Sequence, residues 1–273
     1  MLKPGSQFAG YEILEVTGKG AMATTYRARS LGNGRPVALK VPSAQLLTDP
    51  TFVVRFLQEA HLGKRLDNRF IVRTYDAGDC DGIPYIAMEY LEGMTLKDGL
   101  AASGRLALRG ALKIARDVSE ALEHAHSRSV IHRDLKPDNI MLRAGRCLKV
   151  LDFGIAKVVG EVGLTSANVF IGSPAYAAPE MIDSSTIDHR ADLYSLGIIL
   201  YEMVEGEPPF SGRSPFEVLM KHQTESLPES AQLPQPLSRD LWRLIKGLTA
   251  KKPADRLPDA RSVRIALEML IRS

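Results

Sequence analysis

The residues best equipped for chemistry lie in two short runs. His132-Arg133-Asp134-Leu135-Lys136-Pro137-Asp138-Asn139 gathers carboxylates, a lysine and an amide, and Asp152-Phe153-Gly154 follows it. Five fixed residues of the pattern H-R-D-x-K-x-x-N, at roughly 1/20 each, arise by accident about once in ten thousand chains of this length. A hairpin of Ile140 to Leu142 with Cys147 to Leu151, turning through Ala144-Gly145-Arg146, would bring Asn139 opposite Asp152. An amide oxygen and a carboxylate at one point suit Mg²⁺, which keeps most of its octahedron for water and nucleotide phosphates. Asp134 is then placed to accept a hydroxyl proton, with Lys136 beside it to balance phosphoryl charge. The rival reading is a surface loop that uses Asp and Asn as caps.

Two weaker signals precede these runs. In Val37 to Val41 the side chains alternate, so Val37, Leu39 and Val41 face one way and Ala38 and Lys40 the other. Lys40 is either a solvent-facing lysine on a half-exposed sheet or the partner of a buried carboxylate. Glu59 projects from the apolar stripe of a helix spaced by Phe56 and Leu62, where an unpaired charge would cost several kcal/mol. The pair Lys40 and Glu59 would position the lysine at a phosphate. Gly18-Lys19-Gly20, between two strand candidates, is either a plain hairpin turn or a loop whose N–H groups approach phosphates.

The elements needed to hold these residues are legible. Tyr11 to Val16, Thr24 to Arg29, Val37 to Val41 and Pro84 to Tyr90 read as strands, and Phe52 to about Leu66 as a helix started by Thr48, Asp49 and Pro50. After Gly93 the pattern turns helical. Leu108, Ala111, Leu112, Ala115, Val118, Leu122 and Ala125 make one apolar stripe, while Leu193 to Val204 is apolar nearly all round and predicts a helix enclosed in a core. A Pro-rich stretch from Leu227 to Leu237 precedes a last helical part, Asp240 to Ile271. The expected fold is α+β, with a small strand-rich lobe and a larger helical one.

Composition narrows the class further. The chain has 273 residues, a net charge of +3 and 45% hydrophobic residues, which excludes disorder and collagen. That length suits one large domain or two packed lobes. Nothing in the charge pattern calls for nucleic acid or an anionic membrane. No apolar run approaches the roughly 20 residues that cross a bilayer, and the amino end lacks a secretory pattern, so a cytoplasmic domain is expected. Cys80 and Cys147 alone make no disulfide framework. His124 and His126, two apart, share no helix face and present no metal site.

Taken in order, these motifs resemble a protein kinase catalytic domain of the Ser/Thr type, most similar to the bacterial eukaryotic-like (Hanks-type) kinases. The resemblance covers nearly the whole chain. It implies a bilobal fold, with an N-lobe of about residues 1–90, a hinge at about 89–94 and a C-lobe of about 95–273. Thr17, Gly18, Lys19 and Gly20 fall on the glycine-rich loop, with Thr25 after it, and Val37-Ala38-Leu39-Lys40 on the V-A-I-K strand. Glu59 falls on the carboxylate that pairs with the lysine. Met88, Glu89 and Leu91 resemble the gatekeeper and hinge, with adenine held between Ala38 and Met141. Asp134 matches the catalytic base, Asn139 and Asp152 the metal ligands, and Ala178-Pro179-Glu180 the A-P-E motif, with Arg256 the partner of Glu180. Asp192 and Gly197 match the start of the central C-lobe helix, and Pro209-Phe210 the loop after it.

The resemblance also implies a reaction: transfer of the γ-phosphate of ATP, with Mg²⁺ or Mn²⁺, to Ser/Thr hydroxyls of proteins. Lys136 and Gly172-Ser173 point to Ser/Thr acceptors rather than tyrosine. Arg133 resembles the arginine that receives an activation-loop phosphate, for which Thr165 and Ser166 are the acceptors, and Ser173 is expected to bridge Asp134 and Lys136. A homodimer would allow phosphorylation in trans. Membrane association would require a longer, anchored receptor. The competing class is a pseudokinase binding module, against which stand Lys40, Asp134, Asn139 and Asp152 together. A small-molecule phosphotransferase would lack Lys136 and the A-P-E motif. Ala23 replaces the third loop glycine and Thr25 the valine after it. Gly63 stands where the family packs an apolar side chain against Phe153, which predicts a loosely held helix and a gain of activity in Gly63→Leu.

Overall fold

The computed structural model describes residues 2–20, 22–143, 147–153, 173–183, 187–229 and 237–273, without the side chains of Arg55, Glu59, Asp183, Leu237 and Ser238. Thr165 and Ser166 lie outside the described residues.

The strand-rich part opens with β1 (Gln7–Phe8), β2 (Tyr11–Lys19), β3 (Ala23–Ser30) and β4 (Pro36–Pro42). Helix α1 (Pro50–Lys64) follows, then β5 (Thr74–Cys80) and β6 (Ile83–Glu89). These strands form one antiparallel sheet of order β1-β2-β3-β4-β6-β5. The alternation read in β4 sorts its faces: Val37, Leu39 and Val41 pack with Phe8, Ile13, Tyr26 and Ala87. The opposite face meets α1, where Phe56 and Ala60 pack on Ile86 with Met88 beside them. Asp49 caps α1 by accepting the Thr51 N–H at 2.9 Å, and Pro50 fills the first turn, where a missing N–H costs nothing.

The helical part contains β7 (Met94–Thr95), α2 (Leu96–Ser103) and α3 (Leu108–His126), then β8 (Ile140–Leu142) and β9 (Leu148–Val150). After them come α4 (Glu180–Asp183), α5 (Arg190–Glu205), α6 (Pro215–Thr224), α7 (Leu237–Leu248) and α8 (Ala260–Arg272). The core sits around α5, which is buried on all sides from Leu193 to Tyr201. Gly197 makes this packing possible, because a Cβ there would stand 2.7 Å from both Leu248 Cβ and Thr249 Cγ2. The stripe read on α3 is buried throughout from Ala111 to Ala125.

Several elements differ from the sequence reading; β2, for one, runs on past Val16 to Lys19. Strand β5 was not anticipated because Asp76, Gly78 and Asp79 break its apolar pattern, and its side chains are only half-buried. The last helical part divides into α7 and α8 at the short 3-10 turn Pro253–Asp255, where proline interrupts the ladder. Strand β6 stops at Glu89, one residue short.

Candidate active site

The loop from Val130 to Lys136 is built on a buried carboxylate. Asp192, in the first turn of α5, accepts the His132 N–H through Oδ2 and the Arg133 N–H through Oδ1, both at 2.8 Å. Its Oδ2 also lies 2.8 Å from His126 Nε2, at the end of α3. Burial alone would raise the Asp192 pKa, yet the bonds from His126 and the backbone hold it below the ordinary value. These bonds sustain a non-glycine residue in left-handed backbone, Arg133 with φ of 64°, which costs about 1–2 kcal/mol. His132 is fully buried against the Phe153 ring, 4.7 Å away between centroids. Its Nδ1 accepts the Asp134 N–H at 3.3 Å, so Nε2 carries the proton and donates to Leu151 O at 2.9 Å. One histidine thus ties the Asp134 loop to the strand that leads to Asp152.

On this foundation the polar groups converge. Lys136 Nζ lies 2.8 Å from Asp134 Oδ2. Asn139 Nδ2 donates to Asp134 O at 2.9 Å, with Asp134 Oδ2 at 3.5 Å. Pairing of Ile140 with Val150, and a bond from Leu151 N–H to Asn139 O at 2.8 Å, bring Asn139 beside the residue before Asp152. Asp152 also has left-handed backbone, φ of 53°. Its Oδ1 accepts from Lys40 Nζ at 2.9 Å, so the β4 lysine is buried and reaches across to the helical part. The solvent-facing reading of Lys40 is thereby excluded. Glu59 sits in the third turn of α1, but its side chain lies outside the described residues.

Sheet register orders the remaining residues. Gly18 pairs Thr25, Thr25 pairs Lys40 and Lys40 pairs Ile86, so the glycine run and the lysine share one transverse row. Thr17 Oγ1 donates to Thr25 O at 3.2 Å, Lys19 ends β2, and the Gly20 N–H closes the turn onto Ala23 O at 2.9 Å. The row two positions along joins Ala38, Met88 and Thr74. Glu89 is occupied within the protein: its N–H donates to Arg73 O at 2.8 Å and its carboxylate takes Lys149 Nζ at 3.0 Å. Leu91 is buried, and Met141 lies on β8 opposite Lys149.

Two expectations are corrected. Ser173 starts the short turn Pro174–Tyr176 and forms no bond to Asp134 or Lys136 among the described residues, while Lys136 reaches the Asp134 carboxylate directly. The place beside Gly63 on α1 is not an open gap. A Cβ there would stand 2.5 Å from Thr74 Oγ1, so the glycine lets β5 approach the helix, and Gly63→Leu would drive the two apart.

Below this site lies a platform. Arg256, with no exposed side chain, spends every donor: Nη1 and Nη2 grip Glu180 at 2.6 and 2.7 Å, and carbonyls of Ala250, Arg190 and Lys251 take the rest. Tyr176 donates to Glu202 Oε2 at 2.8 Å, and burial pushes both pKa values up. Sequence reasoning passed over this pair, as it did His126 beneath Asp192. Their only trace was a polar residue inside an otherwise apolar helical stripe.

No group of three or more His, Cys, Asp or Glu gathers for a metal among the described residues. Asp152, together with Asn139 whose Nδ2 is committed to Asp134 O, offers a small hard-oxygen set that fits Mg²⁺.

Known proteins resemble this chain in sequence and fold. The family model described as "Protein kinase domain" matches residues 11–265. The serine/threonine-protein kinase PknB of Mycobacterium tuberculosis is 39% identical over 98% of this chain and 44% of its own length. PrkC of Bacillus subtilis is 36% identical over 95% of this chain and 40% of its own. The chain therefore spans less than half of these relatives. The crystal structure of the M. tuberculosis PknI kinase domain superposes with a TM-score of 0.80 at 30% identity, covering 100% of both chains. Two lobes, one ordered set of motifs and these likenesses place the chain in the protein kinase domain family, among the bacterial Hanks-type serine/threonine kinases.

Proposed function

We propose that this domain transfers the γ-phosphate of ATP to Ser/Thr hydroxyls of protein substrates, with Asp134, Lys136, Lys40, Glu59, Asn139 and Asp152 as its working residues. The observation that carries the reading is the 2.9 Å contact of Lys40 with Asp152, which joins the two lobes beside Asp134 and Asn139. Asp134 orients the acceptor hydroxyl and takes its proton as the new O–P bond forms, while the bond to the departing ADP breaks. Lys136 balances charge on the transferring group, and Lys40 binds phosphate oxygens. The residues around Thr17 to Gly20, Thr25 and Ala38 cover the nucleotide, and Met88, Glu89, Leu91 and Met141 receive its base. Asn139 and Asp152 would hold Mg²⁺ or Mn²⁺, whose charge supports the phosphates. Thr165 and Ser166 are the proposed self-phosphorylation sites, read by Arg133, with transfer between two copies. Among the described residues no helix is long and apolar enough to cross a membrane.

Asp134→Asn tests the assignment. Transfer from labelled ATP to a generic basic protein should fall by about 10³-fold or more while ATP affinity stays within about twofold. Wild-type protein that binds ATP but transfers nothing would make the domain a binding module instead.

A further inference from the structure

One corner beside the Asp134 loop gathers two carboxylates around a lysine. Asp138 precedes Asn139, whose amide is bonded to Asp134 O, and its side chain is 39% exposed. Glu202, half-buried on α5, accepts the Tyr176 hydroxyl. Burial raises the Glu202 pKa and the Tyr176 bond opposes it; of the charges nearby, Asp138 raises it further and Lys97 lowers it. Lys97 therefore acts on both carboxylates. Its place is set by the start of α2, where Thr95 and Asp98 cap each other: the Asp98 N–H donates to Thr95 Oγ1 at 3.0 Å, and the Asp98 carboxylate accepts the Thr95 N–H at 3.2 Å. Asp98 is thus spent on the helix start. Lys97, the residue before it, turns to the loop and puts Nζ 2.8 Å from Asp138 Oδ1. With side chains 63% and 39% exposed, this pair adds little to folding. What it changes is charge, since a positive group stands against two negative ones.

We propose that Lys97 determines acceptor specificity by filling, with a cation of the chain's own, the corner where Asp138 and Glu202 would otherwise hold a basic side chain of the acceptor segment. An incoming Arg must displace the Lys97 ammonium or sit against it, and either costs affinity. A neutral side chain meets no such competitor, and an acidic one can take the Nζ protons that Asp138 does not use. That an acceptor segment passes this corner rests on the kinase reading; the competition between Lys97 and an added cation does not.

Two measurements test this. The first is turnover on Ser peptides in which each flanking position is set in turn to Arg, Ala or Glu. At one of these positions Lys97→Ala should raise the ratio of kcat/KM for Arg over Ala about tenfold above the wild-type ratio. Lys97→Arg should keep the wild-type ratio, and adding Asp138→Asn to Lys97→Ala should remove most of the gain. Each ratio is taken within one variant, so a general change of rate does not enter. A Lys97→Ala protein that gains no Arg preference at any position, or keeps its gain undiminished with Asp138→Asn, overturns the assignment. The second measurement is the affinity of the same peptides by fluorescence anisotropy, which needs no turnover. Lys97→Ala should bind one of the Arg peptides about tenfold more tightly than wild-type protein does, with the gain shrinking in high salt. Wild-type protein that phosphorylates none of the peptides sinks the kinase reading instead. The affinities then decide the corner by themselves, and equal binding of every Arg peptide by wild type and Lys97→Ala overturns it.

Discussion

The two walls of the cleft are held by different physics. Under the Asp134 loop, buried charged groups are held by several partners at once: Asp192 by His126 and two backbone N–H groups, and Arg256 by Glu180 and three carbonyls. On the opposite wall, α1 touches the sheet through a small apolar cluster, the close contact of Gly63 with Thr74, and an ion pair of Lys64 with Asp76 whose side chains are 40% and 48% exposed. Arg256 and Glu180 are 0% and 9% exposed. A fully desolvated network has one low-energy arrangement, whereas an exposed pair and a small cluster permit displacement at little cost. The wall under the Asp134 loop is therefore the fixed one. The side that presents Lys40 is the adjustable one.

Breaking the fixed side should cost most. Arg256→Met leaves the Glu180 carboxylate buried without its partner, and the expected loss is about 3–5 kcal/mol in urea unfolding. Adding Glu180→Gln should return a large part of it, because the stranded charge causes most of the penalty. A loss under about 1 kcal/mol for the single variant would show that the platform is not the rigid wall it is taken to be.

How far the residues announced this asymmetry depends on the range of the interactions. The alternation around Lys40, the capped start of α1 and the enclosed helix α5 were readable because period and cap are local. The run around Asp134 and Asn139 was readable because its spacing is fixed within one loop. Arg256 with Glu180 came from family resemblance alone, since 76 residues separate them. His126 beneath Asp192, Glu202 on Tyr176 and Lys149 on Glu89 stayed invisible, because each joins elements whose approach is set only by tertiary packing. Gly63 shows the same limit. Its helix penalty was legible, but not the side chain from β5 that fills its place.

The fixed side should also carry a pH signature. His222 on α6 is fully buried, bonded through Nδ1 to the Tyr194 hydroxyl at 2.8 Å, with Lys251 Nζ 2.7 Å from its carbonyl and the Phe210 ring and the backbone of Ala175 nearby. Burial, and then the Lys251 charge, push its pKa down to about 4. Folded His222 is therefore neutral, while the unfolded chain takes up a proton below about 6.5, so stability is lost as pH falls from 6.5 toward 4. Integrated over that window the loss is about 3 kcal/mol. His222→Asn should be the less stable protein at pH 7.5, and its deficit should shrink by about 2 kcal/mol at pH 5. A deficit that stays constant with pH would show that His222 takes up its proton over the same pH range in the folded and the unfolded chain.

The adjustable side predicts the smallest effect. Lys64→Ala removes an exposed ion pair with Asp76 at 3.3 Å, and unfolding should change by no more than about 0.5 kcal/mol, with that difference vanishing in high salt. Asp76→Ala is the informative contrast. Asp76 Oδ2 also accepts the Tyr85 hydroxyl at 3.0 Å, and burial together with this carboxylate pushes the Tyr85 pKa up to about 12. Its removal should cost about 1 kcal/mol and bring the tyrosine titration back toward 10, visible in ultraviolet absorbance. If Lys64→Ala instead costs as much as Asp76→Ala, the seam of α1 with β5 is held by charge. In that case the two walls of the cleft do not differ as their exposure indicates.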